Sequence, residues 1–130
     1  MGMKPRESVV QLKMFQARGK RREIAQLEMM IKEFERIMTD LEAQIIDEER
    51  KSGNSDTNHF AYSTFARAAR QRCDNITNSI RDLQRQKENA EATLCEIETE
   101  LQRIKILNGQ ENKAEKDHDS VSIQPHLRVG

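Results

Sequence analysis

Few side chains in this sequence have the type and spacing that catalysis or metal binding requires. The three histidines, His59, His118 and His126, form no i, i+4 pair, and no cysteine stands near them at the spacing of a zinc site. Cys73 and Cys95 lie too far apart on one predicted helix to bridge each other, so we expect two free thiols. The five glycines form no phosphate-binding loop. We therefore expect no enzyme, no catalytic residue, no metal, no cofactor and no small-molecule substrate.

A short basic segment is the first candidate binding site. It holds four bases around one glycine: Arg18, Lys20, Arg21 and Arg22. A helix dipole favours acids in the N-terminal part of a helix, so these bases need another reason to be there. Either they pair with the acids between Glu88 and Glu100, or they contact an acidic partner. Nucleic acid is disfavoured, because the net charge is zero and no aromatic side chain alternates with these bases.

A short aromatic segment is the second candidate site. It contains three of the five aromatic residues of the chain: Phe60, Tyr62 and Phe65. These side chains either cap the end of a helical hairpin or form an adhesive surface for a partner. The second interpretation follows because a narrow helical protein cannot bury every aromatic ring.

Two long helices must position both segments. Apolar residues recur at alternating spacings of three and four, the pattern of a coiled coil. In the first half of the chain they are Ile24, Leu27, Ile31, Phe34, Met38, Leu41 and Ile45, and in the second half they run from Tyr62 to Ile104. With 35% hydrophobic and 34% charged residues, the chain supplies a narrow seam rather than a wide core.

Turn and cap signals predict where these helices begin and end. Pro5 suits the first turn of a helix, so helix 1 is expected from about residue 5 to about residue 51, with Gly53 as its left-handed cap. Helix 2, capped by Asp56, Thr57 or Asn58, is expected from about residue 58 to about residue 107. We predict an all-α fold, a long antiparallel two-helix coiled-coil hairpin over residues 3–109 with a disordered tail over 110–130.

The order of charges favours this hairpin over its main rival, a parallel homodimer of long helices. Residues 28–50 carry eight acids and three bases, whereas residues 67–87 carry six bases and two acids. Folding back near Ser55 sets the acidic block against the basic one, whereas a parallel dimer sets each block against its own copy. Each exposed pair contributes only about 0–1 kcal/mol, but together such pairs select orientation.

The chain resembles the flagellar FliJ family of bacterial type III export proteins, and most of all its alphaproteobacterial version. The resemblance covers residues 3 to about 107. It is carried by Leu12-Lys13-Met14-Phe15-Gln16-Ala17-Arg18, Lys20-Arg21-Arg22, Met29-Met30-Ile31-Lys32-Glu33-Phe34-Glu35, Asn58-His59-Phe60-Ala61-Tyr62 and the aromatic pair of Tyr62-Ser63-Thr64-Phe65.

This resemblance implies a non-enzymatic rod that acts as a rotor-stalk-like component of flagellar export and motility. Its expected partners are the hexameric export ATPase, the cytoplasmic domain of the export gate and export chaperones. The ATPase contact would fall on Arg18, Lys20, Arg21 and Arg22, and the gate contact on Phe60, Tyr62, Phe65, Ala69, Arg72 and Ile76. The resemblance further implies a cytoplasmic protein at the flagellar base, peripheral to the inner membrane through its partners only.

Two other functions fit the same residues. The first is a general helical-hairpin chaperone or adaptor, in which methionines and aromatic residues hold unfolded cargo. The second is an oligomerising coiled-coil scaffold, in which hairpins pair into four-helix bundles. No apolar run approaches the roughly 20 residues that cross a bilayer, so the cytoplasm is the expected compartment under either function.

Overall fold

A computed structural model describes the backbone of residues 5–123 and the side chains of residues 5–110. Two α-helices make up almost all of it: α1, Pro5–Ser52, with 48 residues, and α2, Thr64–Ile123, with 60 residues. No strand occurs between residues 5 and 123. The helices pack against each other as an antiparallel hairpin, which confirms the predicted all-α fold.

Contacts divide this hairpin into two compact units. Unit 1 consists of Met1–Lys20 and Ala92–Gly130, and unit 2 consists of Arg21–Glu91. Each unit therefore contains a segment of α1 and a segment of α2, and unit 2 also contains the connecting loop.

The core of unit 2 is the seam that the sequence predicted. Its buried residues from α1 are Leu27, Ile31, Leu41 and Ile45, and those from the loop and α2 are Tyr62, Ala66, Ala69, Ile76, Ile80 and Leu83. Burying each leucine or isoleucine contributes about 1.5–3 kcal/mol. Alanine contributes less, but its small side chain lets two helix backbones approach closely.

The core of unit 1 is smaller. Ala17 of α1 and Ile97 of α2 are buried, and Leu94, Leu101 and Ile104 are half-buried beside them.

A polar contact also joins the two helix segments of unit 1. The Arg6 side chain donates a hydrogen bond from Nη1 to Oδ1 of Asn108 over 3.1 Å.

Gly53 ends α1, as the sequence predicted. Its φ of 71° lies in the left-handed region that favours glycine. Its N–H donates to the carbonyl oxygen of Glu49 over 3.0 Å, which satisfies one of the free carbonyls at the helix end.

Ser63, and none of the three residues predicted for this role, caps α2. The Ser63 carbonyl accepts the N–H of Arg67 over 3.0 Å, and its Oγ accepts the N–H of Ala66 over 3.2 Å. This is the bonding of an N-cap residue, so α2 begins at Thr64 rather than near residue 58.

The predicted cap residue Asp56 instead stabilises turns within the loop. Its Oδ1 accepts the N–H of Asn58 over 3.0 Å, and its own N–H donates to Oδ1 of Asn54 over 2.9 Å. Asp and Asn side chains bond to the backbone two residues away as readily as they cap helices, which explains why this part of the prediction was wrong.

The C-terminal half of α2 also differs from the prediction. The helix continues through Gly109 to Ile123, where the sequence predicted an end near Leu107 and a disordered tail from Gln110. One glycine in a helix costs only about 1 kcal/mol. Six of the seven residues that follow it, over 110–116, are glutamine, glutamate, lysine or alanine, which favour helix. The rest of the predicted tail, residues 124–130, lies outside the described residues.

Neither helix, over the residues that the structure describes, contains an apolar stretch long enough to cross a membrane.

The substitution Ser63→Ala tests the α2 cap. We expect it to lower the free energy of unfolding by about 1 kcal/mol, because the N–H of Ala66 loses its acceptor and the Glu48 carboxylate loses a donor. Urea denaturation followed by helical circular dichroism measures the loss. Ser55→Ala, on the exposed surface of the same loop, should change the free energy by no more than about 0.5 kcal/mol. A larger loss for Asp56→Ala than for Ser63→Ala would contradict the assignment of the cap.

Candidate interaction surfaces

Tyr62 is a buried anchor of the loop. Its side chain is 4% exposed, and its hydroxyl accepts a hydrogen bond from Nε of Arg70 over 2.7 Å. Nη2 of Arg70 then donates to both carboxylate oxygens of Glu49, over 3.0 and 3.2 Å. One guanidinium therefore joins the loop, α1 and α2.

Electrostatics around this anchor favour the charged guanidinium. The hydrogen bond to the Tyr62 hydroxyl raises the pKa of Arg70 above its ordinary value, and the Glu49 carboxylate raises it further. Arg67 adds a second cation, because its Cζ lies 5.3 Å from the centre of the Tyr62 ring. Ser63 contributes a further cross-link by donating from Oγ to Oε1 of Glu48 over 3.2 Å.

Phe60, in contrast, projects from the loop and is 94% exposed. Its ring stacks on the ring of His59 with centroids 4.7 Å apart. His59 is held in turn by the backbone: its Nδ1 accepts the N–H of Ala61 over 3.0 Å, and its carbonyl accepts the N–H of Tyr62 over 3.1 Å. These bonds fix the loop in a conformation that presents Phe60 to solvent.

The structure separates the six residues predicted for the gate contact into two groups. Phe60, Phe65 and Arg72 are exposed. The other three belong to the core of unit 2: Tyr62, Ala69 and Ile76. Only the first group is accessible to a partner on the folded surface, and the contact itself remains a prediction.

The four residues predicted for the ATPase contact follow one another along α1 but belong to different units. Arg18 and Lys20 lie in unit 1, and Arg21 and Arg22 lie in unit 2. The three arginines are exposed, whereas Lys20 is half-buried. Within unit 1, and apart from its chain neighbours and the backbone of its own helix, nothing lies within 4 Å of the position that a Cβ on Gly19 would occupy, so the surface there is open.

Opposite charges meet across the hairpin of unit 2. Nζ of Lys87 lies 3.3 Å from Oε1 of Glu28, and Nη2 of Arg70 lies 3.0 Å from Oε1 of Glu49. Both pairs join the basic block of residues 67–87 to the acidic block of residues 28–50, as the charge order predicted. They help to set the register of the two helices.

Several large apolar side chains lie outside the seam and are exposed. On α1 they include Val9, Leu12, Phe15, Met29, Met30 and Ile46, and on α2 they include Ile106 and Leu107. The heptad pattern did not identify Leu12 or Phe15 as surface residues of interest, because neither belongs to the predicted seam. Their spacing of three residues was the signal that they share a face of the helix.

Both thiols are free, as predicted, but they differ in environment. Cys95 is exposed, whereas Cys73 is half-buried against the core of unit 2. Burial raises the pKa of the Cys73 thiol, and the carboxylates of Glu42 and Asp74 raise it further. Cys73 is therefore a poor nucleophile at neutral pH. Among the described residues, no group of three or more histidine, cysteine, aspartate or glutamate side chains is placed to hold a metal ion.

No family model, no curated protein and no solved structure matches this chain.

A double-mutant cycle tests whether Arg70 couples the loop to the helices. The cycle compares Tyr62→Phe, which removes the hydroxyl, Arg70→Ala, and the double variant. It should reveal a coupling between the two side chains of about 0.5–1 kcal/mol in the free energy of unfolding. This expected coupling is small for a hydrogen bond to a charged group, because the Arg70 side chain is 46% exposed and solvent screens its charge.

Arg72 supplies the matched control, because it is exposed on the same helix. The cycle of Tyr62→Phe with Arg72→Ala should show no coupling. Equal coupling in the two cycles would show that Tyr62 has no specific link to Arg70.

Proposed function

We propose that this chain is a non-enzymatic, stalk-like component of the flagellar type III export apparatus. In this proposal it binds the hexameric export ATPase and the cytoplasmic domain of the export gate, and it assists the traffic of export chaperones and their substrates. It works in the cytoplasm at the flagellar base. Support comes from the residues that resemble the FliJ family, together with a helical hairpin that exposes a basic segment.

The exposure of Arg18, Arg21 and Arg22 is the observation that carries the proposal. Arg18 is exposed in unit 1, and Arg21 and Arg22 are exposed in unit 2. In each unit, the exposed arginines are accessible to an acidic partner. Arginine suits such a contact, because its planar group bonds a carboxylate through two parallel N–H groups. The exposed rings of Phe60 and Phe65, with the guanidinium of Arg72, provide the accessible residues for the gate contact.

A general chaperone or adaptor is the second candidate function. It is favoured by the exposed methionines Met29 and Met30, which line a shallow apolar depression with Phe34 and Glu33. Unbranched methionine side chains adapt to apolar segments of varied shape. This function requires binding to unfolded export subunits in the absence of the ATPase.

Mixing the chain with the cognate export ATPase tests the proposal. We expect ring assembly and ATP hydrolysis to rise with the concentration of this chain. Arg21→Glu with Arg22→Glu should weaken that effect by about tenfold or more, because two attractive charges become repulsive. Arg81→Glu with Arg85→Glu is the control, because it makes the same charge change at exposed positions of α2.

Circular dichroism must accompany this experiment. If helicity is retained and the chain alters neither ring assembly nor hydrolysis, the stalk function is excluded. If the Arg21 and Arg22 reversals abolish helicity, those residues serve the hairpin rather than a partner. Binding of unfolded export subunits without any effect on the ATPase would instead support the chaperone.

A further inference from the structure

One face of α1 in unit 1 is entirely exposed and carries no charge. Each of its residues lies three, four or seven positions from another, so they share one side of a helix with 3.6 residues per turn: Pro5, Ser8, Val9, Leu12, Phe15, Gln16 and Gly19. We call this set the uncharged face. Its large apolar side chains are well exposed, with Val9 at 42%, Leu12 at 56% and Phe15 at 60%.

Bases border the uncharged face on both sides. Helical spacing puts Lys13 at one edge and Arg18 at the other. Between Pro5 and Lys20 the sequence contains four bases and a single acid, Glu7. A surface that covers this face must therefore be apolar at its centre and negatively charged on both flanks.

We propose that the uncharged face binds the surface of an anionic phospholipid bilayer. The α1 segment would lie in the plane of the interface, with Leu12 and Phe15 inserted between the headgroups. Lys13 and Arg18 would reach the lipid phosphates while their aliphatic stems cover apolar surface. This contact goes beyond the proposed export function, in which partners alone connect the chain to the membrane.

Charge complementarity favours a bilayer over a protein partner. An anionic membrane presents negative charge on both sides of an inserted helix, whatever the rotation of that helix in the plane. Between Ala92 and Gln110, α2 carries three acids and two bases, a net charge of −1, whereas residues 5–20 of α1 carry a net charge of +3. This difference in net charge favours the orientation in which α1, rather than α2, meets the anionic lipid.

Apolar insertion and electrostatic attraction should contribute to membrane binding with different salt dependences. Apolar insertion depends on Leu12 and Phe15 and is insensitive to salt, whereas attraction between bases and lipid phosphates is screened as the ionic strength rises. With so few apolar side chains, binding should be reversible and should require both contributions.

Sedimentation of the full chain with lipid vesicles tests the proposal. We expect binding to vesicles that mix phosphatidylcholine with phosphatidylglycerol, weaker binding at high salt, and little binding to phosphatidylcholine alone. Leu12→Ser with Phe15→Ser should reduce binding by about tenfold or more. Met29→Ser with Met30→Ser, a pair of exposed apolar residues elsewhere on α1, should leave it unchanged. Because all four side chains are exposed, helicity should survive in both variants.

Fluorescence gives an independent measurement, because the chain contains no tryptophan. With Phe15→Trp, we expect a blue shift on adding the anionic vesicles and quenching by brominated lipids. Phe60→Trp, on the exposed loop of unit 2, should show neither effect.

Three outcomes would overturn the proposal. The first is an absence of binding to anionic vesicles, and the second is binding that ignores either lipid charge or the Leu12 and Phe15 substitutions. The third is a lipid-independent rise in the solution mass that those substitutions abolish, because the uncharged face would then pair with a second copy of the chain.

If the Leu12 and Phe15 substitutions impair ATPase stimulation and no lipid binds, the uncharged face is a protein contact. The export function can hold or fail independently of the first two outcomes.

Discussion

In each unit, the segments of α1 and α2 depend on one another to cover their apolar seams. Unit 2 buries Leu27, Ile31, Leu41 and Ile45 against residues of the loop and α2, and no third element is described that shares this task. Separating the helices would expose the whole seam to water, at about 25 cal/mol for each Å² of apolar surface. The same arrangement leaves most polar side chains solvated, which makes the surface the part of the molecule that is available for function.

The loop shows how this constraint sorts chemically similar residues. Tyr62 turns inward, because its ring fills the end of the seam while its hydroxyl bonds Arg70, and Arg70 in turn bonds Glu49. Phe60 has no polar handle and stays outside, held by its stack with His59. The Phe60 ring therefore remains on the surface, where a partner would find it accessible. The inward residue thus stabilises the conformation that presents the outward one.

Much of the hairpin could be predicted from sequence, because heptad spacing, Gly53 and charge order are local signals that agree with one another. The start of α2 could not, since Asp56, Asn58 and Ser63 are all competent caps, and only their bonds in the folded chain distinguish them. Periodicity also could not reveal which aromatic residues face outward, because the loop has no helical period. The uncharged face on α1 was readable in principle, but the stronger seam pattern obscured it.

Cross-linking tests most directly whether α1 and α2 pack within one chain. In a variant with Cys73→Ser and Cys95→Ser, new cysteines at Glu28 and Lys87 would replace side chains that lie 3.3 Å apart. A short bifunctional maleimide should join them within a single chain in dilute solution, whereas cysteines at Glu28 and Arg70 should remain unjoined. Covalent dimers from the first pair, or no product at all, would contradict the hairpin on which the proposed surfaces depend.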